Sequence, residues 1–595
     1  MFRGLALAAI GLALAASPVM AKKVLPRMRG VVEGYYGHPW SGEARRDVIR
    51  FMGAHDLNTF VYGPKNDPYH RDRWREPYPA SDLGDLRMTA RVAEKAKVRF
   101  VYALSPGIDI CFTCKDDFTA LTKKLRQLAR ARVRHFALFF DDLFGRTIHP
   151  GDVEEYGGSD GPALARAHAN LTNRVDRWLR AHHLPGLAFM IPSDYEGTEC
   201  HPYHTELAAR LRRRMPVGWT GPGVFSTALS GAEARARAAC VGDHPVVLWD
   251  NYPVNDAVLS SNLHMGPLTG RDAELTRVVH GHLLNPMTQA HASLVALGTA
   301  GAYFRDPSGY DPEAAWETTL AELDPGGGLA TFAAQTRSSP LDLDDAAALG
   351  AALGGASSTY TSADWTAAMD ALASEIATQA AAPAAMDASL GGSPLAREIA
   401  PWVAELAAHT SSATAAIDLL RSMKPAFQTL ATKLAGGMLH VTGVAVGPDD
   451  AKVAALGPTF ATPPPVRGFA DFVDLVRCMG GPGALVSADI NFCPQYGLNV
   501  HGKSLYVYPR TSRDLEVVTG RNVHEHLLAF VAERYADYLA RQSPGSTTLT
   551  LTLEGTPVTL GTNGAFDVSI PTPPSGRARL VVSTAAGDTT AADVP

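Results

Sequence analysis

Between about Met28 and Pro286 the sequence carries eight apolar, β-rich runs, at 29–36, 59–65, 98–105, 134–141, 186–193, 217–225, 245–251 and 280–285. Helix-like stretches such as Glu43–His55 and Phe118–Ala131 separate most of them. A parallel strand is reached from its neighbour only through a crossover, so this alternation predicts βαβ units and a parallel sheet. Eight units predict a (β/α)8 barrel within an α/β chain. The alternative is a doubly wound open sheet. It would usually carry a glycine-rich phosphate loop after its first strand, and Glu33-Gly34-Tyr35-Tyr36-Gly37 does not fit that pattern.

The chain runs on well beyond these units, and its 595 residues exceed one ordinary domain. We divide it into a signal peptide at 1–21, the barrel at 28–310, a helical bundle at 311–435, a mixed α/β segment of unassigned fold at 436–543 and a small all-β module at 544–595. Trp365, Met369, Leu372 and Ile376, and then Leu419, Met423, Phe427 and Leu430, recur at helical spacing. Pro463-Pro464-Pro465 marks irregular sequence, and His524–Arg541 reads as a helix. From Thr548 to Leu553 threonine and leucine alternate strictly, and Thr562-Asn563-Gly564 supplies a turn. Such a module could bind sugar or dock to a surface; a spacer is an equal reading.

At the N-terminus Arg3, the apolar run Gly4–Ala16 and Val19-Met20-Ala21 have the form of a cleaved export signal. A secreted or periplasmic protein is therefore expected, without membrane insertion, because no apolar stretch reaches spanning length. The net charge of -6 is small for this length and argues against a nucleic-acid surface. Export gives weight to three sequence-local cysteine pairs: Cys111 with Cys114, Cys200 with Cys240, and Cys478 with Cys493. Neither C-x-x-C…C-x-x-C nor H-E-x-x-H occurs, so no metal and no cofactor are expected. His524-Glu525-His526 reads as a helix start, since i and i+2 do not face one another. Asp342, Asp344 and Asp345 read as helix N-terminal acids.

Function in such a barrel collects at the C-terminal ends of its strands. Those ends carry Glu33-Gly34, Lys65-Asn66-Asp67, Asp141-Asp142, Asp194-Tyr195, Thr220-Gly221, Asp250-Asn251 with Asn255-Asp256, and Asn285. Acids and amides bind hydroxyls, and aromatic rings bind the apolar face of a pyranose, so the ring suits a sugar. Asp141-Asp142 stands out because it follows Phe136-Ala-Leu-Phe-Phe140, a run that should be buried. Two adjacent carboxylates repel, which favours holding one protonated as a general acid. An isolated Asp-Asp pair is more often a cap or a solvated turn; its place after a buried strand tips the reading towards catalysis.

Gly30-Val-Val-Glu-Gly-Tyr-Tyr-Gly-His-Pro-Trp40, Leu57-Asn58-Thr59, Tyr62-Gly-Pro-Lys-Asn-Asp-Pro-Tyr-His70, Trp74-Arg-Glu-Pro-Tyr-Pro79, Leu104-Ser-Pro-Gly-Ile-Asp109, Trp219-Thr-Gly-Pro-Gly-Val224 and Trp249-Asp-Asn251 closely resemble glycoside hydrolase family 84, the O-GlcNAcase and hyaluronidase-like β-N-acetylglucosaminidases. The resemblance runs in order from about Arg29 to Trp316 and fades beyond. It implies a retaining exo-β-N-acetylglucosaminidase with substrate-assisted catalysis, acting on β-linked GlcNAc glycans, glycopeptides or O-GlcNAc protein. On matching positions it implies that Asp141 orients the acetamido N–H, that Asp142 is acid and then base, and that Tyr195 hydrogen-bonds around the acetamido group. Gly34, Lys65, Asn251, Asp256 and Asn285 would hold hydroxyls or the acetamido carbonyl, and Thr220, Val224 and Trp249 would wall the acetamido pocket. Gly63 and Asp194 depart from the family's usual Ala and Glu. The rival expectation is a carbohydrate-binding or adhesive protein with a vestigial barrel.

Overall fold

A computed structural model of the chain describes residues 25–460 apart from 144, 257–261, 338, 340–346 and 363; beyond these it describes 499–500, 503–504, 520–541 and 549–594 apart from 561–563, 576 and 586. The expected signal peptide, Cys478, Cys493, the Asp342–Asp345 cluster and the triple proline lie outside the described residues. The barrel strands are β1 (Met28–Glu33), β2 (Thr59–Tyr62), β3 (Arg99–Leu104), β4 (His135–Phe139), β5 (Met190–Ile191), β6 (Val217–Trp219), β7 (Val246–Asp250) and β8 (Gly281–Leu284). Among them run α1 (Gly42–Ala54), α2 (Ala80–Lys95), α3 (Lys115–Arg130), α4 (Pro150–Tyr156), α5 (Gly161–Ala181), α6 (Pro202–Arg210), α7 (Gly231–Cys240) and α8 (Leu275–Val278), followed by α9 (Leu294–Arg305).

All eight strands are parallel and the sheet closes, with Val31 of β1 opposite Phe60 on one side and Leu284 on the other. Closure excludes the doubly wound alternative. Side chains alternate across each strand. Val31, Phe60, Phe136 and Leu138 face the helices, whereas Val32, Val61, Ala137, Phe139, Ile191, Val247, Trp249 and Leu283 fill the barrel. Extending the inward set by two places at the upper ends of β1, β4, β7 and β8 gives Gly34, Asp141, Asn251 and Asn285, and four places beyond Val61 gives Lys65, so the pleat itself delivers these residues to the mouth.

Helices α10 (Pro312–Leu323), α11 (Gly328–Ala334), α12 (Ala347–Ser358), α13 (Trp365–Leu390) and α14 (Pro394–Ser422) follow. Trp365, Met369, Leu372 and Ile376 form one buried stripe, as their spacing predicts. The expected helix through Leu419, Met423, Phe427 and Leu430 is corrected: α14 ends at Ser422, and Phe427 and Leu430 lie on strand β9 (Ala426–Ala435). Spacing over only a few turns misled, because Pro425 and the Gly436-Gly437 turn frame a hairpin with β10 (Met438–Val446). Then come α15 (Asp450–Phe460), the short β11 (Asn499–Val500) and β12 (Lys503–Ser504), α16 (Gly520–Arg541), β13 (Leu549–Leu553), β14 (Thr556–Thr559), β15 (Ala565–Pro571), β16 (Ala578–Thr584) and β17 (Thr589–Val594).

The boundaries read from sequence at 435 and 543 are therefore crossed. Leu527 and Val531 of α16 share a core with α12, α13 and α14, and β15 leaves the C-terminal sheet to pair antiparallel with β10. Cys111–Cys114 and Cys200–Cys240 are bonded.

One ion cluster ties the barrel to the helical region. His291, between β8 and α9, places Nδ1 2.6 Å from Glu398 of α14 and Nε2 3.3 Å from Asp47 of α1. Burial disfavours its charge, but the hydrogen bonds and charges of Glu398 and Asp47 prevail and raise its pKa above the usual value. A raised folded-state pKa gives stabilisation that is complete below the ordinary imidazole range and lost as pH rises through the raised value. The melting temperature of the native protein should therefore exceed that of His291→Gln most at pH 5.5, with the gap narrowing by pH 8.5; a gap independent of pH would remove this role.

Candidate active site

Asp141 is the inward residue two places beyond Phe139, and it is buried. By alternation Asp142 would turn away. Its backbone instead adopts a left-handed conformation, φ 52°, and Arg71 donates from Nη2 to its carbonyl at 2.7 Å. Such a conformation costs a non-glycine residue roughly 1–3 kcal/mol, and it places both carboxylates at one mouth.

Their surroundings differ. Asp141 Oδ2 takes the ammonium of Lys65, itself only 2% exposed. Asp141 Oδ1 is buried and has no hydrogen-bond partner. Asp142 accepts two phenol hydroxyls, Tyr195 on Oδ1 and Tyr36 on Oδ2, both at 2.8 Å, and the Lys65 ammonium lies 3.8 Å from Oδ2. One carboxylate thus has a cation and an empty acceptor, the other two neutral donors that can be exchanged for a substrate.

The opposite wall is an amide network. Asn285 accepts from the Gly34 N–H at 3.2 Å and donates to Asn251 Oδ1 at 3.0 Å. Trp249 Nε1 donates to the same oxygen at 2.9 Å, and Asn251 Nδ2 donates to the Val224 carbonyl at 2.8 Å. Gly34 has to be glycine, because a Cβ there would sit 2.3 Å from the Trp249 ring. Trp249 is thereby both a core aromatic and a wall. Thr220 Oγ1 donates to the Gly223 carbonyl at 3.2 Å, closing the loop that carries Val224. Asp256 Oδ2 accepts from the Tyr36 N–H at 2.8 Å. Burial, with the nearby Asp142 charge adding to it, raises the Asp256 carboxyl to about 6, so it can donate as well as accept towards a hydroxyl.

The structure thus brings Gly34, Lys65, Asp141, Asp142, Tyr195, Asn251, Asp256 and Asn285 together, with Thr220, Val224 and Trp249 on the adjoining loop and wall. Other carboxylates of the expected ring point elsewhere. Glu33 is wholly buried in the helix layer against Arg45, Nε to Oε2 2.6 Å. Asp67 accepts from Tyr62 at 2.7 Å. Asp250 holds Arg271, Nε to Oδ2 2.9 Å, and His282 at 2.8 Å. Asp194 accepts from the ring nitrogens of His201, at 2.7 Å, and His204, at 3.3 Å. Tyr36 and Arg71 were missed. For Tyr36 a signal existed: it follows the inward Gly34 by two places.

Among the described residues the one cluster with metal-ligand chemistry is Asp194, His201 and His204. His204 Nδ1 accepts the His201 N–H at 3.1 Å. Its proton therefore lies on Nε2, facing Asp194, which leaves no lone pair there for a cation.

Residues 29–335 match the family described as beta-N-acetylglucosaminidase, more than half of the chain. The chain belongs to the beta-N-acetylglucosaminidase family. Rat and mouse Protein O-GlcNAcase are each 33% identical to it over 282 residues, 46% of this chain and 30% of theirs; the chain thus spans under a third of the length of these relatives. The structure of CpGH84B aligns with a TM-score of 0.58 at 28% identity, over 67% of this chain and 70% of that one. A mutant O-GlcNAc hydrolase of Thermobaculum terrenum aligns with a TM-score of 0.68 at 24% identity, over 87% and 96%, and shows the shared fold. In this beta-N-acetylglucosaminidase family member the matched region takes in all of the barrel but Met28, the first residue of β1, and every site residue named above lies within it.

Proposed function

We propose that this protein is a retaining exo-β-N-acetylglucosaminidase that removes terminal GlcNAc, including O-GlcNAc, by substrate-assisted catalysis. The observation that carries the reading is Asp141 Oδ1, a buried carboxylate oxygen without a donor. An unmet buried acceptor costs roughly 1–3 kcal/mol or more, and an acetamido N–H would supply the missing hydrogen bond. With that N–H held, the acetamido oxygen attacks the anomeric carbon and the glycosidic C–O bond breaks. Asp142 exchanges one tyrosine hydroxyl for the leaving oxygen and gives it a proton. An oxazoline forms. Water then adds to the anomeric carbon, Asp142 takes back a proton, and the ring opens with retained configuration. The Lys65 ammonium stays paired with Asp141, and Asn251, Asp256 and Asn285 grip the sugar.

Action on glycoconjugates, glycopeptides or O-GlcNAc protein outside the cytoplasm fits the expected export signal, and the two disulfides support that placement. No described helix is long and apolar enough to cross a membrane. The test is turnover of a chromogenic β-GlcNAc aryl glycoside between pH 5 and 8, with a series of N-fluoroacetyl analogues. Fluorination should slow the reaction progressively, and a thiazoline should inhibit strongly because it resembles the state the site stabilises. A well-folded protein without turnover would instead be a sugar-binding module. A 2-fluoro sugar adduct on Asp141, with indifference to N-acyl fluorination, would leave the glycosidase and remove this mechanism.

A further inference from the structure

Tyr195 reaches Asp142 from an irregular segment between β5 and α6, and four successive carbonyls of that segment are each held. The Asp194 carbonyl accepts from Arg237 Nη2 at 2.5 Å and from His204 Nε2 at 3.1 Å. The Tyr195 carbonyl accepts the Thr220 N–H at 2.9 Å. Those of Glu196 and Gly197 accept Arg237 Nη1 at 3.2 Å and the Trp219 indole at 2.9 Å. Arg237 therefore grips the carbonyls of the two residues that flank Tyr195 with one planar group. It is completely buried. It has no carboxylate within ion-pair distance among the described residues, and its Nε is unpartnered. Burial pulls its pKa down to about 10, partly offset by the Asp194 charge. A buried guanidinium without a counter-ion is costly, and three residues after it Cys240 is bonded to Cys200 in the same segment.

We propose that Arg237 is a positioning residue of the reaction: it fixes the Tyr195 backbone so that the phenol meets Asp142. The proposal rests on the glycosidase reading above. Helix α7, which carries it, is anchored by a reciprocal Ser230–Glu233 cap, so the guanidinium starts from a rigid base. Its planar fork is what spans two carbonyls; an ammonium reaches one.

The test compares Arg237→Lys and Arg237→Met with Tyr195→Phe, singly and combined, checking each for a native far-UV spectrum and an intact Cys200–Cys240 bond. Arg237→Lys should lower kcat about 10–100-fold, the scale of one lost hydrogen bond to a charged group, with KM changed far less, and Arg237→Met should be worse. In the Tyr195→Phe background either change should add little, because the effect passes through the same phenol. Losses that multiply independently, or folded variants with unchanged kcat, would overturn the proposal. If Arg237→Lys yields no folded protein, the same cycle with His204→Phe, which removes the other donor to the Asp194 carbonyl, decides it on the same criteria. Amide hydrogen exchange over 194–197 separates this inference from the activity itself. It should quicken in Arg237→Lys while exchange in β4 stays native, even if no substrate is turned over; unaltered exchange there counts against the role.

Discussion

Replacing Asp142 with asparagine should slow hydrolysis of a serine-linked or alkyl glycoside by roughly 10²–10⁴-fold, the usual worth of general acid catalysis, and leave kcat/KM for an aryl glycoside with a very acidic leaving group close to the native value. The reason is local. On the proposed mechanism Asp142 is the member of the adjacent pair that offers a proton to the leaving oxygen, since Asp141 is occupied by Lys65 on one side and awaits an N–H on the other. The substitution is clean in backbone terms, because asparagine tolerates the left-handed conformation that position 142 requires. It does remove one acceptor from the Tyr36–Asp142–Tyr195 bridge. The quantity to measure is kcat/KM, which reports through leaving-group departure and so isolates the acid step from the later attack of water. Equal losses on both substrates would show that the proton donor has been assigned to the wrong residue.

Asp141→Asn should behave differently in two respects. It should depress kcat/KM for both substrates, by about 10²–10³-fold if its role is that of a preorganised electrostatic group, because the acetamido nucleophile is then unoriented whatever the leaving group. It should also destabilise the fold. Lys65 is buried, and without Asp141 the closest remaining carboxylate oxygen is that of Asp142 at 3.8 Å. Removing one partner of a buried pair costs about 3–5 kcal/mol, and this residual attraction places the loss at the lower end. Adding Lys65→Met should recover stability measured by urea unfolding without recovering activity. Recovery of both would mean that Asp141 serves only to neutralise the lysine.

The barrel was legible because its signal is repeated: eight buried runs at regular intervals leave few alternatives once a phosphate loop is missing. The inward site residues were legible for the same reason, since strand alternation places Lys65, Asp141, Asn251 and Asn285 at the mouth. Residues whose role depends on a turn were not. Nothing in the string Asp141-Asp142 states that the second residue takes a left-handed backbone, and Arg71, which holds its carbonyl, is distant in sequence. Glu33 and Asp250 stand at strand ends like the site acids, yet their partners Arg45 and Arg271 lie on elements whose approach only the fold defines. The end of α14 failed for the opposite reason. Its apolar spacing continued into β9 by coincidence, and the partner that makes this stretch a strand follows it after a turn of only two residues.

The pairing of β10 with β15 has a consequence for how the chain is made. Met438 lies opposite Pro571 and Val444 opposite Ala565, so one edge of the β9–β10 hairpin stays open until β15, far along the chain, has left the ribosome. The barrel needs nothing from that distance and can close on its own earlier residues. Synthesis thus separates the molecule into a part that matures as it emerges and a part that must wait, and β15 acts as a latch on the second, so the module that carries it is not a cassette that could be exchanged freely between proteins.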